Sequence, residues 1–243
     1  MAYRGKLVAA LLTLLILGGG GTAAAFAVDH ARLQSRLLAS FADELPPDAR
    51  LHDYARKLAK PAFAEHCAGC HGPIGRNKAK IGVPDLGRGV WLYDFGRVSD
   101  IERTILYGIR SGHGKARNVT DMPALGVTNQ LNDDEIGDTA AYVISLSRPG
   151  GDEAAIARGE GLYQGKGQCF DCHGSDAAGN IDWGTPGFNQ GRWLYGGDPA
   201  AVSRSIHDGR HGRCPAWIDQ LSAATIRALA VYLRDAQPAR PSS

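Results

Sequence analysis

Two copies of Cys-x-x-Cys-His punctuate this chain, Cys67-Ala68-Gly69-Cys70-His71 and Cys169-Phe170-Asp171-Cys172-His173. The spacing has a chemical reason. Two thiols three positions apart reach the two vinyl groups of one porphyrin as thioethers, while the adjacent imidazole meets the iron from one side. A single Cys-x-x-Cys reads equally as a redox dithiol or half a zinc site. Two copies, each followed at once by His, read as two covalent attachment sites for haem c. The motifs take four of the five cysteines, which leaves no pairs for a disulfide framework. Cys214 stands alone.

The 243 residues allow a leader and two small domains, each near the size at which a core of side chains alone is marginal. A covalently held porphyrin supplies an apolar centre, so folding and haem attachment are expected to be coupled. The net charge of +2 is too balanced to suggest nucleic-acid binding. Arg88, Arg97, Arg110, Arg192, Arg204, Arg210 and Arg213 lie in stretches flanking the motifs. Each is a candidate to pair with a haem propionate or to belong to a solvated basic face.

Arg4 and Lys6 precede a run from Leu7 to Val28 that carries no charge. That is long enough to span a bilayer, which takes about 20 residues. It also has the parts of a signal peptide: a basic start, an apolar core, the Gly18 to Gly21 break and Ala25-Phe26-Ala27 as a cleavage pattern. The uncleaved anchor is the preferred reading, because Leu33, Leu37, Leu38 and Phe41 continue the segment as an amphipathic helix. Either reading puts the basic end in the bacterial cytoplasm and the haem units in the periplasm.

The chain is internally duplicated. His71 and Trp91 are twenty positions apart, as are His173 and Trp193, and Trp91-Leu92-Tyr93 is matched by Trp193-Leu194-Tyr195. Thr104-Ile105 and Gly108 match Ser205-Ile206 and Gly209, and Met122-Pro123-Ala124 lines up with Cys214-Pro215-Ala216. A helix is expected before each motif, with Leu58, Ala62 and Phe63 inward in the first. A second helix ends each unit, one capped by Asn132 with Glu135 completing a capping box and one capped by Ser222. Ser147 to Gly151 breaks the helical pattern as a linker. The expected division is an anchor or signal with an amphipathic linker over 1–45, one haem domain over 46–148 and another over 152–237. The tryptophans are expected as packing elements.

Met122 is the candidate sixth ligand of the first haem, since its thioether suits iron and Pro123 fixes the backbone beside it; His113 is a weaker competitor. At the aligned position of the second unit stands Cys214, and that unit has no methionine. A thiolate there favours ferric iron and lowers the potential relative to a His/Met pair, and Arg213 would help hold it. His207, His211 and an open or switching site remain alternatives.

Helix, motif, Gly/Pro-rich loop and terminal helix in this order resemble class I cytochrome c. That makes the expected fold all-α, an N-terminal transmembrane helix followed by two tandem class I cytochrome c domains. With the Trp193-Leu194-Tyr195-Gly196-Gly197 run, the Gly209-to-Trp217 loop and the Ile226-to-Leu233 helix, the chain resembles the membrane-anchored dihaem subunit III of cbb-type haem-copper oxidases from roughly Leu33 onward. The resemblance implies axial pairs of His71 with Met122 and of His173 with residue 214. It also implies two covalently bound haem c groups, location at the bacterial inner membrane, and redox partners that include a haem-copper oxidase catalytic subunit. The family usually has Met where Cys214 stands, and a longer portion before the apolar segment, so a stand-alone anchored carrier is an equal expectation.

Single-electron transfer needs no general acid, base or nucleophile, and no catalytic residue is expected. The competing reading is an enzyme, because a His/Cys haem resembles that of dihaem thiosulfate dehydrogenases. A third is a redox sensor in which Cys214 switches.

Overall fold

The computed structural model describes residues 24–74, 80–87, 91–189, 191 and 193–237. Most of the apolar stretch that begins at Leu7, together with Arg88 and Arg192, lies outside them. No helix among the described residues is long and apolar enough to cross a membrane.

The described fold is helical, with isolated bridges in place of named strands. Residues 24–39 form α1. There follow α2 (Ala49–His66), α3 (Ala68–His71), α4 (Val98–Tyr107), α5 (Asp133–Ser145), α6 (Glu153–Gln164), α7 (Phe170–His173), α8 (Pro199–Asp208) and α9 (Ala223–Asp235). Their starts follow from local chemistry. The carboxylates of Asp48, Asp152 and Asp198 accept backbone N–H bonds in the first turns of α2, α6 and α8, satisfying donors that no helical carbonyl can reach. Asn132 and Glu135 form the expected capping box at α5, and Ser222 caps α9. Asn132→Ala should cost about 1 kcal/mol, read as a lower urea midpoint with α5 opening first in hydrogen exchange.

The amphipathic reading of α1 holds for Leu33 and Leu37, which are buried. It fails for Leu38 and Phe41, which are exposed, Phe41 at 79%. Phe41 falls after α1 has ended, so the helical period no longer carries it to the buried face.

The packing crosses the order of the sequence. α9, the last helix, packs on α2 and α4, while α5 packs on α6 and α8. Two cores result. The first joins Leu33 and Leu37 of α1, Leu51, Ala55, Ala59 and Phe63 of α2, and Ile101 of α4 to Ala228, Leu229 and Leu233 of α9. The second joins Leu125, Leu131, Ile136, Ala140 and Val143 to Tyr163, Val202 and Ile206. Each half therefore takes its motif and the following helix from one repeat and its closing helix from the other.

Polar contacts fasten the exchange. Arg227 of α9 donates to Glu102 of α4 at 2.9 Å and to the carbonyls of Leu37 and Ser40 at 3.2 and 2.9 Å. In the other half Arg158 of α6 makes a two-pronged pair with Asp138 of α5 at 2.7 and 2.8 Å.

The crossing segments run as antiparallel pairs. Ile109 exchanges both backbone hydrogen bonds with Cys214 at 2.9 Å, and Met122 exchanges both with Arg210 at 3.2 Å. Gly108 and Gly209 make this approach possible. Both have positive φ, +73° and +69°, and a Cβ on either would lie 2.3 Å from the Cys214 carbonyl oxygen or 2.5 Å from that of Met122. The two contacts are the same contact, made once in each direction.

Candidate haem sites

The two motif histidines are held alike. His71 Nδ1 lies 2.9 Å from the carbonyl oxygen of Pro84, and His173 Nδ1 lies 2.9 Å from that of Pro186. Each proline follows its histidine by 13 positions. An Nδ1–H given to a carbonyl fixes the tautomer and leaves Nε2 with its lone pair free. Burial pushes both imidazoles below their ordinary pKa, with the proline carbonyls acting the other way. Each ring is thus a neutral base suited to an iron.

One continuous cavity of about 710 Å³ borders both motifs, Cys67, Cys70 and His71 as well as Cys169, Cys172 and His173. Apolar side chains such as Ile101, Leu125, Val202 and Leu229 line it. The Tyr93 hydroxyl faces a different requirement. It is buried and finds no hydrogen-bond partner among the described residues, although the ring borders the cavity. An unpaired buried hydroxyl costs about 1–3 kcal/mol. An apolar macrocycle that carries carboxylates would fill the space and satisfy that atom, so the residues present fit haem.

Arginine and tyrosine repeat on both sides. The Arg117 guanidinium lies 5.0 Å from the centre of the Tyr93 ring and donates to Thr104 Oγ1 at 3.1 Å. Arg210 lies 4.4 Å from the Tyr195 ring and donates to Ser205 Oγ at 3.1 Å. Arg117 also pairs with Asp94 and is buried. Sequence reasoning passed over Arg117, because it belongs to a stretch that the second repeat largely lacks. Of the arginines singled out from sequence, Arg110, Arg210 and Arg213 border the cavity. Arg97 is taken up by Asp100.

Each sixth-ligand candidate lies in the half that holds the other repeat's motif. Met122 packs against the second core, together with Cys169 and Phe170. Cys214 sits by the first motif: Trp217, three residues on, lies 5.0 Å from the His66 ring beside Cys67. The Cys214 thiol is pushed up to about 11, by burial first and then by the neighbouring Cys67 and Cys70 thiols. Arg213, expected to help hold a thiolate, is exposed.

The histidine alternatives lie off the cavity wall. His207 pairs with Asp208 at 2.7 Å and His211 with Asp121 at 3.4 Å. His113 stacks on Tyr107 at 5.0 Å and, with Arg110, His211 and Arg213, borders a separate polar cleft of about 410 Å³. His66, which sequence reasoning did not single out, does border the main cavity. Trp91 and Trp193 are packing elements, as expected, one against each core. Trp183 differs, being 37% exposed.

Comparison with known proteins finds cytochrome families over both units of the chain. The family model described as cytochrome c oxidase, cbb3-type, subunit III matches residues 154–233, and that of cytochrome c matches 57–147. A cbb3-type cytochrome c oxidase subunit CcoP of Azospirillum brasilense is 37% identical over 85% of this chain and 72% of its own length. Subunit FixP of Bradyrhizobium sp. (strain ORS 278) is 41% identical over 80% of this chain and 65% of its own. Subunit CcoP of Cereibacter sphaeroides is 31% identical over 86% and 70%.

Proposed function

The chain belongs to the subunit III family of cbb3-type cytochrome c oxidases, and from that premise we propose that it carries single electrons between two covalently bound haems and on to a haem-copper catalytic subunit. The observation that carries this reading is the pair of motif histidines, each locked by a proline carbonyl and both bordering one cavity. Bound haem would supply the one-electron iron couple. The chain's part is to orient the two imidazoles, keep water from the macrocycles and set the potentials through the sixth ligands. Cys67 and Cys70 would hold the first haem and Cys169 and Cys172 the second.

His71 with Cys214 would hold one iron and His173 with Met122 the other, a pairing supported by Cys214 beside the Cys67 and Cys70 thiols and Met122 against the second core. The apolar segment from Leu7 would anchor the protein in the bacterial inner membrane, with both haems in the periplasm. The enzyme reading rests on Cys214 alone, and the relatives are oxidase subunits by name.

Gentle solubilisation, native electrophoresis with in-gel haem staining and mass spectrometry of the stained band test the assignment. A haem-copper catalytic subunit should travel with this chain. A band holding this chain alone would remove the oxidase-component reading.

The Tyr93 hydroxyl is assigned to a haem propionate. Tyr93→Phe should then lower the stability of the holoprotein by about 1 kcal/mol and shift the potential of the haem it serves. If the hydroxyl were idle, its removal would be neutral or stabilising, as measured by thermal unfolding followed at the Soret band.

A further inference from the structure

The proline loops that hold the motif histidines are themselves held from the other repeat. Gly82 lies two positions before Pro84, whose carbonyl takes the His71 Nδ1–H, and Gly184 lies two before Pro186, whose carbonyl takes that of His173. A Cβ on Gly82 would lie 2.5 Å from the Tyr195 ring, and one on Gly184 would run into the Tyr93 ring. Each glycine backbone thus rests against a tyrosine of the other repeat, at an approach that only a residue without Cβ allows.

Backbone bonds tie the same segments together. The Gly82 N–H donates to the Leu194 carbonyl at 2.8 Å, and the Asp94 N–H donates to the Ile181 carbonyl at 3.1 Å. A guanidinium lies over each ring, Arg210 over Tyr195 and Arg117 over Tyr93. Each guanidinium is anchored on a hydroxyl of its own repeat, that of Ser205 or of Thr104. Tyrosine, arginine and hydroxyl of one repeat therefore make a stop against the loop of the other, once in each direction.

Resting on the electron-carrier reading and going beyond the proline hydrogen bonds, we propose that Tyr195 is a positioning residue for the haem at His71 and Tyr93 for the haem at His173, each acting through the loop its ring supports. The Nδ1–H bond to a carbonyl makes the ligating imidazole more basic, and a more basic imidazole favours ferric iron. A loop free to withdraw from its tyrosine loosens that bond and raises the potential. The two haem sites are thus built jointly, and neither repeat sets its own potential alone.

The test uses the full holoprotein with Tyr195→Leu, which removes the ring, and Tyr195→Phe, which keeps it. Potentiometry reads each haem's potential, and electron paramagnetic resonance of the ferric haems reads imidazole orientation through the g-values, with the haems told apart through a Cys172→Ala partner variant. Tyr195→Leu should shift the balance between ferric and ferrous iron at the His71 haem about tenfold, an upward change of about 59 mV. It should also move that haem's g-values and leave the His173 haem unchanged. Tyr195→Phe should stay at wild-type values. Should Tyr195→Leu take up no haem, the mirror variant Tyr93→Leu, judged against Tyr93→Phe, makes the same comparison at the His173 haem. A shift at the haem of the tyrosine's own repeat, equal shifts with Leu and Phe, or no shift at either haem overturns the proposed clamp. Wild-type haems that give no reversible one-electron wave would overturn the carrier reading instead, and the g-values would still decide the clamp.

Discussion

Leu229→Asp should unfold the half of the molecule that holds the first haem motif and leave the half that holds the second standing. Leu229 is fully buried, in a core built with Leu37, Leu51 and Phe63. Leu229→Ala at such a site would cost about 2–5 kcal/mol. A buried unpaired carboxylate costs more, enough to consume most of the roughly 5–15 kcal/mol that holds a domain folded. The diagnostic quantity is where protection is lost in hydrogen exchange. The packing of α9 on α2 and α4 puts the loss in α1, α2 and α4, with α5, α6 and α8 retained. Loss in α6 and α8 instead would mean that α9 closes the repeat it belongs to in sequence.

Met122→Ala and Cys214→Met should each act on the haem of the other repeat. With Met122 packed against the core of the second half, its removal should open an iron held at His173 to external ligands such as cyanide or imidazole and leave the first haem's spectrum unchanged. Cys214→Met replaces a candidate thiolate with a neutral thioether, which withdraws the preference for ferric iron. The potential of the haem at His71 should rise by roughly 100 mV or more, since a one-electron couple moves about 59 mV for each tenfold change in relative affinity. Resonance Raman and potentiometry, with each haem identified through a Cys70→Ala or Cys172→Ala partner variant, would separate the two sites. Changes that stay with the haem of the same repeat would restore the pairing read from sequence order.

Much of this was legible before the fold. The motifs, the linker break, and the caps at Asn132 and Ser222 all act through neighbours within a few residues, so local chemistry fixes them. Burial of Leu229, Leu233 and Ile226 on one face of the last helix follows from helical period. The partner of that face does not follow. Periodicity says that a stripe is apolar and nothing about which stripe covers it, and in a duplicated sequence the two closing helices suit the two halves almost equally well. The decision rests on contacts between residues far apart in the chain, such as Arg227 with Glu102 and Cys214 with Ile109. Arg117 and Trp183 were missed for a related reason. One lies where the repeat has no counterpart, and the other looked like its half-buried namesakes.

The exchange of closing helices also sets a timetable. Every element of the second half, from Met122 through α8, leaves the ribosome before α9 does. The half whose motif is made first is therefore the last to be closed. Until Ala223–Asp235 arrives, its cysteines stay open to the machinery that attaches haem, while the later half can already have shut around its own. A chain cut short before α9 should therefore keep the half that holds the second motif closed and leave the half that holds the first open.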